Sequence, residues 1–426
     1  MLWFYNALLP AGRLAARALA PWMPKVRQGL AGRRGVQARF AALGAACAGR
    51  NVWIHSTSVG EYEQARPVAA LLRERRPDLE IVHTFFSPSG YEYARRLGEA
   101  AHFDYLPEDT PGEVARALDR LRPRALVLMK FDLWPNLIVA AHQRGIPVVL
   151  LDATLQPHSW RSRGPARALY REVYSRLALI SAVSTADAAR FRALVPAHPG
   201  LYVDGDTRFD QVMRRRQAAR RVALVPALLG EPRPFTFVAG STWGQDEALL
   251  VPAWRDVTAA HPAHPARLVL VPHEPTPAHL EPLERALAGA GLPARRYSEI
   301  EARGLGDAAV VLVDQVGILA ELYAAGDAAY VGGAFSTGVH NLMEPAIFGL
   351  PLLFGPKHRN APEADMFLDV GAATVVRSAP DLSGALSEFV ADPARRRERG
   401  AQARAVVEAN LGASERCLER LLPFLN

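Results

Sequence analysis

The chain reads as an α/β protein made of two doubly wound, Rossmann-like halves in tandem. Three observations lead there. Its 426 residues exceed one ordinary core, which predicts two or three domains. From Asn51 onward, short apolar runs alternate with longer amphipathic ones, as in βα units feeding a parallel sheet. The alternation lapses over Arg208–Ala227 and restarts at Phe235, so the chain divides into halves of about 170 residues instead of closing one eight-fold barrel.

Residues 1–40 stand apart as a basic, apolar segment. The first acidic residue is Glu61, and eight basic groups precede it, from Arg13 to Arg50; the remaining chain carries 42 basic against 43 acidic residues. The net charge of +7 therefore belongs to the N-terminal arm, and the neutral body argues against a nucleic-acid partner. The apolar run Met1–Ala11 holds Trp3, Phe4 and Tyr5 and falls short of the ~20 residues that span a bilayer. Its arginines follow the apolar stretch, the reverse of a secretory signal. Pro10, Pro21 and Pro24 are expected to break the segment into short helical pieces. Aromatics beside arginines suit a segment lying in the interface of an anionic membrane; a helix packed on the protein body is the plainer alternative.

Residues 41–205 form the first half, with strands expected at Asn51–His55, Glu80–Thr84, Ala125–Met129, Pro147–Leu151, Ala178–Val183 and Leu201–Asp204. Residues 206–230 read as a connection containing a helix. Residues 231–395 form the second half, with strands at Phe235–Ala239, Arg267–Pro272, Val310–Val313, Ala328–Val331, Leu352–Phe354 and Ala373–Val376. Residues 396–426 read as closing helices. Two cysteines, Cys47 and Cys417, lie in unrelated contexts and make no disulfide or metal pattern.

Ligands of such folds sit beyond the carboxyl ends of the strands, so the loops there carry the candidate chemistry. The strongest is Gly332–Pro345, after strand Ala328–Val331. Gly333 lets backbone approach a ligand, and Ser336 and Asn341 lead toward a helix whose first N–H groups suit an anion. Glu344 suits a sugar hydroxyl. The next strand ends in a second polar loop with Lys357, and Ser241, Thr242, Pro272 and His273 end two neighbouring strands. Together they make a phosphate or nucleotide site, against the alternative of ordinary capped turns.

In the first half, strand Asn51–His55 runs into Ser56-Thr57-Ser58-Val59-Gly60-Glu61. Ser58-x-x-Glu61 is a capping box, which explains these residues without function. Alternatively, Glu61 is a general base facing the inter-domain cleft, where a helix N-terminus favours negative charge. The loop Lys130–Asn136, with Trp134 between, ends the strand Ala125–Met129 as a site loop would. Asp204-Gly205-Asp206 spells a metal-binding Asp-x-Asp but reads as a turn. No His-x-x-x-His helix pair with a carboxylate partner, no P-loop and no Gly-x-Ser-x-Gly elbow occurs.

Taken in order, Ser58-Val59-Gly60-Glu61, Trp134-Pro135-Asn136, Gly205-Asp206-Thr207-Arg208-Phe209-Asp210, Gly240-Ser241-Thr242, His340-Asn341-x-x-Glu344-Pro345 and Phe354-Gly355-Pro356 resemble the Kdo transferases. These enzymes move 3-deoxy-D-manno-octulosonic acid (Kdo) onto lipid A precursor. The resemblance spans nearly the whole chain. It implies a GT-B type fold with the two domains facing a cleft, CMP-Kdo as donor, lipid A precursor (lipid IVA) as acceptor, inversion at the anomeric carbon, and no cofactor or metal. It also implies a place on the cytoplasmic face of the inner membrane, peripheral or held by the N-terminal segment. By motif match Glu61 is the catalytic base. Ser58, Gly60, Lys130, Trp134 and Asn136 become acceptor-side residues, and Ser241, Thr242, Pro272, His273, Gly333, Ser336, Asn341, Glu344 and Lys357 donor-side residues. Where family members often carry an arginine after the Val-Pro pair, this chain has His273-Glu274, which leaves Arg208, Lys357 or Arg359 to supply a basic donor contact. A GT-B transferase or sugar-nucleotide epimerase with another donor, and a non-catalytic membrane-surface binder, are the competing readings.

Overall fold

The computed structural model describes residues 2–47, 49–219 and 233–426. The chain divides into two compact units, Met1–Gln211 with Leu411–Asn426, and Val212–Asn410. Of the expected connection, Thr207–Ala219 is a helix, and Val222–Leu229 lies outside the described residues.

Each unit holds a seven-stranded sheet whose neighbours all pair in parallel. In the first, β1 (Asn51–Ser56), β2 (Glu80–Phe85), β3 (His102–Tyr105), β4 (Ala125–Met129), β5 (Val148–Ala153), β6 (Leu179–Ala182) and β7 (Leu201–Val203) take the order β3-β2-β1-β4-β5-β6-β7. In the second, β8 (Phe235–Thr242), β9 (Ala266–Pro272), β10 (Ala294–Arg296), β11 (Val310–Leu312), β12 (Ala328–Val331), β13 (Leu352–Phe354) and β14 (Ala373–Val375) take the order β10-β11-β9-β8-β12-β13-β14. The central strands are continuous apolar runs because helices cover both faces; every residue of β4, Ala-Leu-Val-Leu-Met, is buried. β3 and β10 are not among the strands that the apolar alternation predicts. Both stand at a sheet edge and are short and polar, His-Phe-Asp-Tyr and Ala-Arg-Arg, as edges must be to avoid further pairing.

The sheet order reverses direction between β1 and β4 in the first unit and between β8 and β12 in the second. These are the switch points at which open α/β sheets bind ligands.

The closing helices of 396–426 divide between the two units. The helix Pro393–Ala409 belongs to the second unit, and the helix Ala413–Leu421 returns to the first. There Leu418 and Leu421 pack with Val68 and Leu72 of α4 (Val59–Arg75) on one face of the sheet. Asp210 receives the Gly412 and Ser414 N–H groups at 2.7 and 2.6 Å, which supplies orphan donors of that helix with a carboxylate. At the other end, α1 (Leu2–Leu19) runs straight through Pro10. Proline does not divide it, and the break comes only before α2 (Pro24–Gly32). Polar anchors hold α1 to the body: Tyr5 donates to Asp109 at 2.8 Å, and Asn6 accepts from Asn136 at 2.7 Å. Among the described residues no helix is long and apolar enough to cross a membrane.

Candidate functional site

At the switch point of the first unit the β1 strand leaves His55 fully buried and passes into Thr57, Ser58 and α4. His55 donates or accepts through Nδ1 with Thr84 Oγ1 at 2.9 Å and meets Asp132 Oδ2 through Nε2 at 3.0 Å. Asp132 follows β4 and also receives the Thr57 hydroxyl. Burial would push the Asp132 carboxyl up. The hydrogen bond and attraction of His55, joined by Thr57, overcome it and hold the group below the ordinary carboxylate range. One carboxylate thus ties together the two loops at the switch point. Beside it, Glu61 is 7% exposed. Its Oε2 accepts the Ser58 N–H at 3.0 Å and the Ser58 hydroxyl, the second half of the capping box. Its Oε1 carries no hydrogen bond among the described residues. Capping and chemistry are therefore compatible in one side chain, because they use different oxygens.

At the switch point of the second unit a buried carboxylate performs the same task. Asp246, in the first turn of the helix Gly244–Ala260, accepts from Trp243 N at 2.9 Å, Gly333 N at 3.0 Å and Tyr330 Oη at 2.7 Å. It joins the loop after β8 to the strand β12 and the loop after it. A Cβ on Gly332 would lie 2.3 Å from the Ser241 carbonyl oxygen, so only glycine fits where these loops cross. Gly333 has φ +92°, where a side chain would be strained. The loop folds back on itself: Ser336 and Gly338 donate to the Gly333 carbonyl at 3.0 Å each, and His340 donates to Gly332 at 3.1 Å. The N–H groups of Ala334, Phe335 and Thr337 remain without acceptors among the described residues. Above them Trp243, His273 and His340 stack in series, with ring centroids 4.8 and 4.5 Å apart. Trp243 Nε1 donates to His340 Nε2 at 3.2 Å. Burial, with His273 adjoining, pushes the His340 pKa down, which favours the neutral ring that can accept this bond.

Comparison with known proteins adds relatives to this geometry. The family model "3-Deoxy-D-manno-octulosonic-acid transferase (kdotransferase)" matches residues 30–211. A 3-deoxy-D-manno-octulosonic acid transferase of Bordetella pertussis is 33% identical, covering 97% of this chain and 98% of that protein. The chain belongs to the 3-deoxy-D-manno-octulosonic acid transferase family. The enzyme of that description from Haemophilus influenzae is 30% identical over 94% of this chain and 92% of its own. Among solved structures, UDP-GlcNAc 2-epimerase from Neisseria meningitidis superposes with a TM-score of 0.63 at 14% identity, covering 88% of this chain and all of that one. MurG from Acinetobacter baumannii gives 0.55 at 12% identity, covering 88% of this chain and 99% of its own. Those likenesses establish the fold, two doubly wound units of the GT-B type.

Against this family background, the residues expected from sequence fall into three groups. Glu61, Ser58, Lys130 and Trp134 gather at the first switch point, and Ser241, His273, Gly333 and Ser336 at the second. Gly60 lies on the first of these loops, exposed and with room for a side chain, since a Cβ there would meet only Ser58 Oγ at 3.7 Å. A second group is present but committed elsewhere. The buried Thr242 donates its hydroxyl to Glu247 at 2.8 Å, Pro272 is buried at the end of β9, and Lys357 Nζ donates to the Phe335 and Ser336 carbonyls at 3.1 and 3.2 Å. Glu344 is paired with Arg215, and Arg208 with Asp206 at 2.6 Å. In the third group the reading of Asn136 as a site residue, and of a helix N-terminus as the anion site, needs correction. Asn136 is buried, with its amide spent on Asn6 and on the Asp109 carbonyl, and it anchors α1 rather than a ligand. Asn341 is exposed and accepts the Met343 N–H at 3.0 Å just ahead of the helix Met343–Ile347. That helix has only five residues and starts well after the glycines, so the glycine loop itself, and not a helix N-terminus, presents the free N–H groups. His55, Asp132 and Asp246 escape sequence reading because the partners that matter, Thr84 and Asp132 for His55 and Tyr330 and Gly333 for Asp246, are distant in the chain.

Proposed function

We propose that this chain transfers Kdo from CMP-Kdo to a hydroxyl of a lipid A-type acceptor such as lipid IVA, inverting the anomeric carbon and using no metal or other cofactor. Membership of the Kdo transferase family over 97% of the chain carries this reading, and the position of Glu61 at a switch point supports the roles within it. Glu61 Oε1 takes the proton of the acceptor hydroxyl. The hydroxyl oxygen bonds to the anomeric carbon, and the bond from that carbon to the phosphate oxygen breaks, so that CMP departs with the electron pair. The unspent N–H groups of Ala334, Phe335 and Thr337, with Lys357 beside them, meet the charge that develops on the departing phosphate. The second unit thus holds the donor, and the first supplies the base and the acceptor surface.

The proposed setting is the cytoplasmic face of the inner membrane. Trp3 and Trp22 are 72% and 77% exposed along an arm that holds basic groups and no acid, a combination suited to the interface of an anionic bilayer. The test is Glu61→Gln, assayed by product mass with CMP-Kdo and tetraacyl lipid A precursor. The kcat is expected to fall by about 10²–10⁴ while CMP binding is unchanged in calorimetry, and a fully active variant would remove Glu61 from the mechanism. Turnover of a UDP-sugar in place of CMP-Kdo would point instead to another GT-B transferase or an epimerase. Wild-type rates unchanged by EDTA are expected.

A further inference from the structure

Beneath α1 lies a cavity of about 390 Å³, within the ~300–1,000 Å³ range of ligand pockets. Leu8, Leu9, Leu30, Phe86 and Trp134 give it apolar walls. It exists because α1 presents Gly12 and Ala16 toward it: a Cβ built on Gly12 meets nothing within 4 Å. The polar anchors Tyr5 and Asn6 at one end, and the Arg13–Glu108 ion pair at 2.7 Å farther along, hold the helix over this space instead of letting it collapse. Arg17 lies at the rim and has no ion-pair partner among the described residues. The cavity also touches the candidate site through one shared wall. Trp134 packs against Phe86 at 5.0 Å on the cavity side and edge-on to His55 at 5.8 Å on the other.

We propose that this cavity takes one acyl chain of the anionic lipid acceptor, with Arg17 meeting negative charge on its head group. The proposal rests on the function given above and deepens it. Apolar walls with Arg17 at the rim, unpaired among the described residues and beside the mutually neutralised Arg13 and Glu108, complement an amphiphilic anion, and the shared Trp134 wall sets a head group emerging from the cavity beside the loop that carries Glu61. The exposed apolar face of α1, with Trp3, Phe4 and Leu14, is the other side of the helix and remains available to the bilayer.

The probe is dodecyl phosphate, titrated calorimetrically below its micelle concentration into the full chain. Wild type is expected to bind it saturably, and butyl phosphate at least about a hundredfold more weakly. Gly12→Trp and Ala16→Phe, which fill the cavity from an exposed helix, should each weaken dodecyl phosphate by about tenfold. Ala11→Trp, on the same helix outside the cavity, should not. Equal binding by the filled variants, or equal binding of the butyl compound, overturns the proposal. So does a parallel loss of binding to anionic vesicles, which would make the cavity merely part of a membrane-contacting surface. In transfer assays the filled variants should raise KM for tetraacyl acceptor about tenfold and leave CMP-Kdo and O,N-deacylated acceptor unaffected. If wild type transfers Kdo to neither acceptor, the functional reading fails, while the dodecyl phosphate titration still decides the cavity.

Discussion

Asp132→Ala probes the way the first unit holds the loop that carries the proposed base. The carboxylate is the partner of His55 Nε2 at 3.0 Å and of the Thr57 hydroxyl. His55 is fully buried, so the lost bond cannot be replaced by water without opening the sheet end. A hydrogen bond to a charged group contributes about 1.5–3 kcal/mol. Thr57 is half-exposed and can turn to solvent, adding little, so the expected loss is about 2–3 kcal/mol. For a unit of about 150–250 residues each kcal/mol moves the midpoint by about 2–4 °C, which predicts a fall of about 4–12 °C in the thermal unfolding of the first unit. Activity should fall as well, because Thr57 begins the loop that aims Glu61, and a misplacement of about 1 Å can cost about 10²-fold in rate. We expect kcat to drop between about tenfold and a hundredfold with KM for CMP-Kdo unchanged, and Asp132→Asn, which keeps one acceptor oxygen, to fall between the two. The pH dependence has a definite sign. Asp132 is held below its ordinary value, so its stabilisation is fully present above the unfolded pKa of about 3.9 and is lost as pH falls through the lower folded value. The gap between wild type and Asp132→Ala should therefore stay constant from about pH 8 to pH 5 and narrow only below about pH 4. An unchanged midpoint, or a gap that widens on acidification, would refute the tether.

Two further outcomes follow from particular contacts. Gly332→Ala forces a Cβ to within 2.3 Å of the Ser241 carbonyl; because the obstacle is backbone, CMP binding measured by calorimetry should weaken at least about tenfold, and wild-type affinity would disprove the crossing. Asp109, buried beneath α1, has its pKa pushed up to about 6 by burial, despite bonds from Tyr5, Asn136 and Leu137; wild-type stability should fall by about 3 kcal/mol as pH rises from about 4 to 6, while Asp109→Asn shows no such slope in denaturant titrations over that range.

Much of this architecture is local in origin and so can be read from sequence. The buried strands declare themselves as apolar runs, and Ser58-x-x-Glu61 is visible because a capping box spans only one turn. Gly332 and Gly333 are visible because a close backbone approach and a positive φ admit little else. What escapes is tertiary or peripheral. β3 and β10 carry edge chemistry that masks their strand character. The return of Ala413–Leu421 to the first unit depends on Asp210, some two hundred positions earlier. Asn136 looks like a site residue because it follows Trp134 in a strand-end loop, yet its amide is spent on Asn6, and nothing local announces that partner.

The two units, so different in sequence, solve the same problem in the same way. At a switch point two loops leave neighbouring strands that diverge in the chain, and no backbone ladder binds one loop to the other. In the first unit Asp132 supplies the link, drawing His55 and Thr57 of the β1 side to the β4 loop; in the second Asp246 draws Gly333 and Tyr330 of the β12 side to Trp243. Backbone strain gathers at the same ends. Of the four described non-glycine residues with positive φ, Lys130 follows β4, Asp152 lies in β5 and Ser241 lies in β8, while Arg122 stands before β4. Each such conformation costs about 1–3 kcal/mol and persists only where its surroundings over-determine it. A carboxylate bonded to two loops provides that over-determination beside Lys130 and Ser241. The strain is thus evidence about rigidity: in each unit these strand ends are held fixed, as a surface must be if it is to present its loops to a ligand in one geometry.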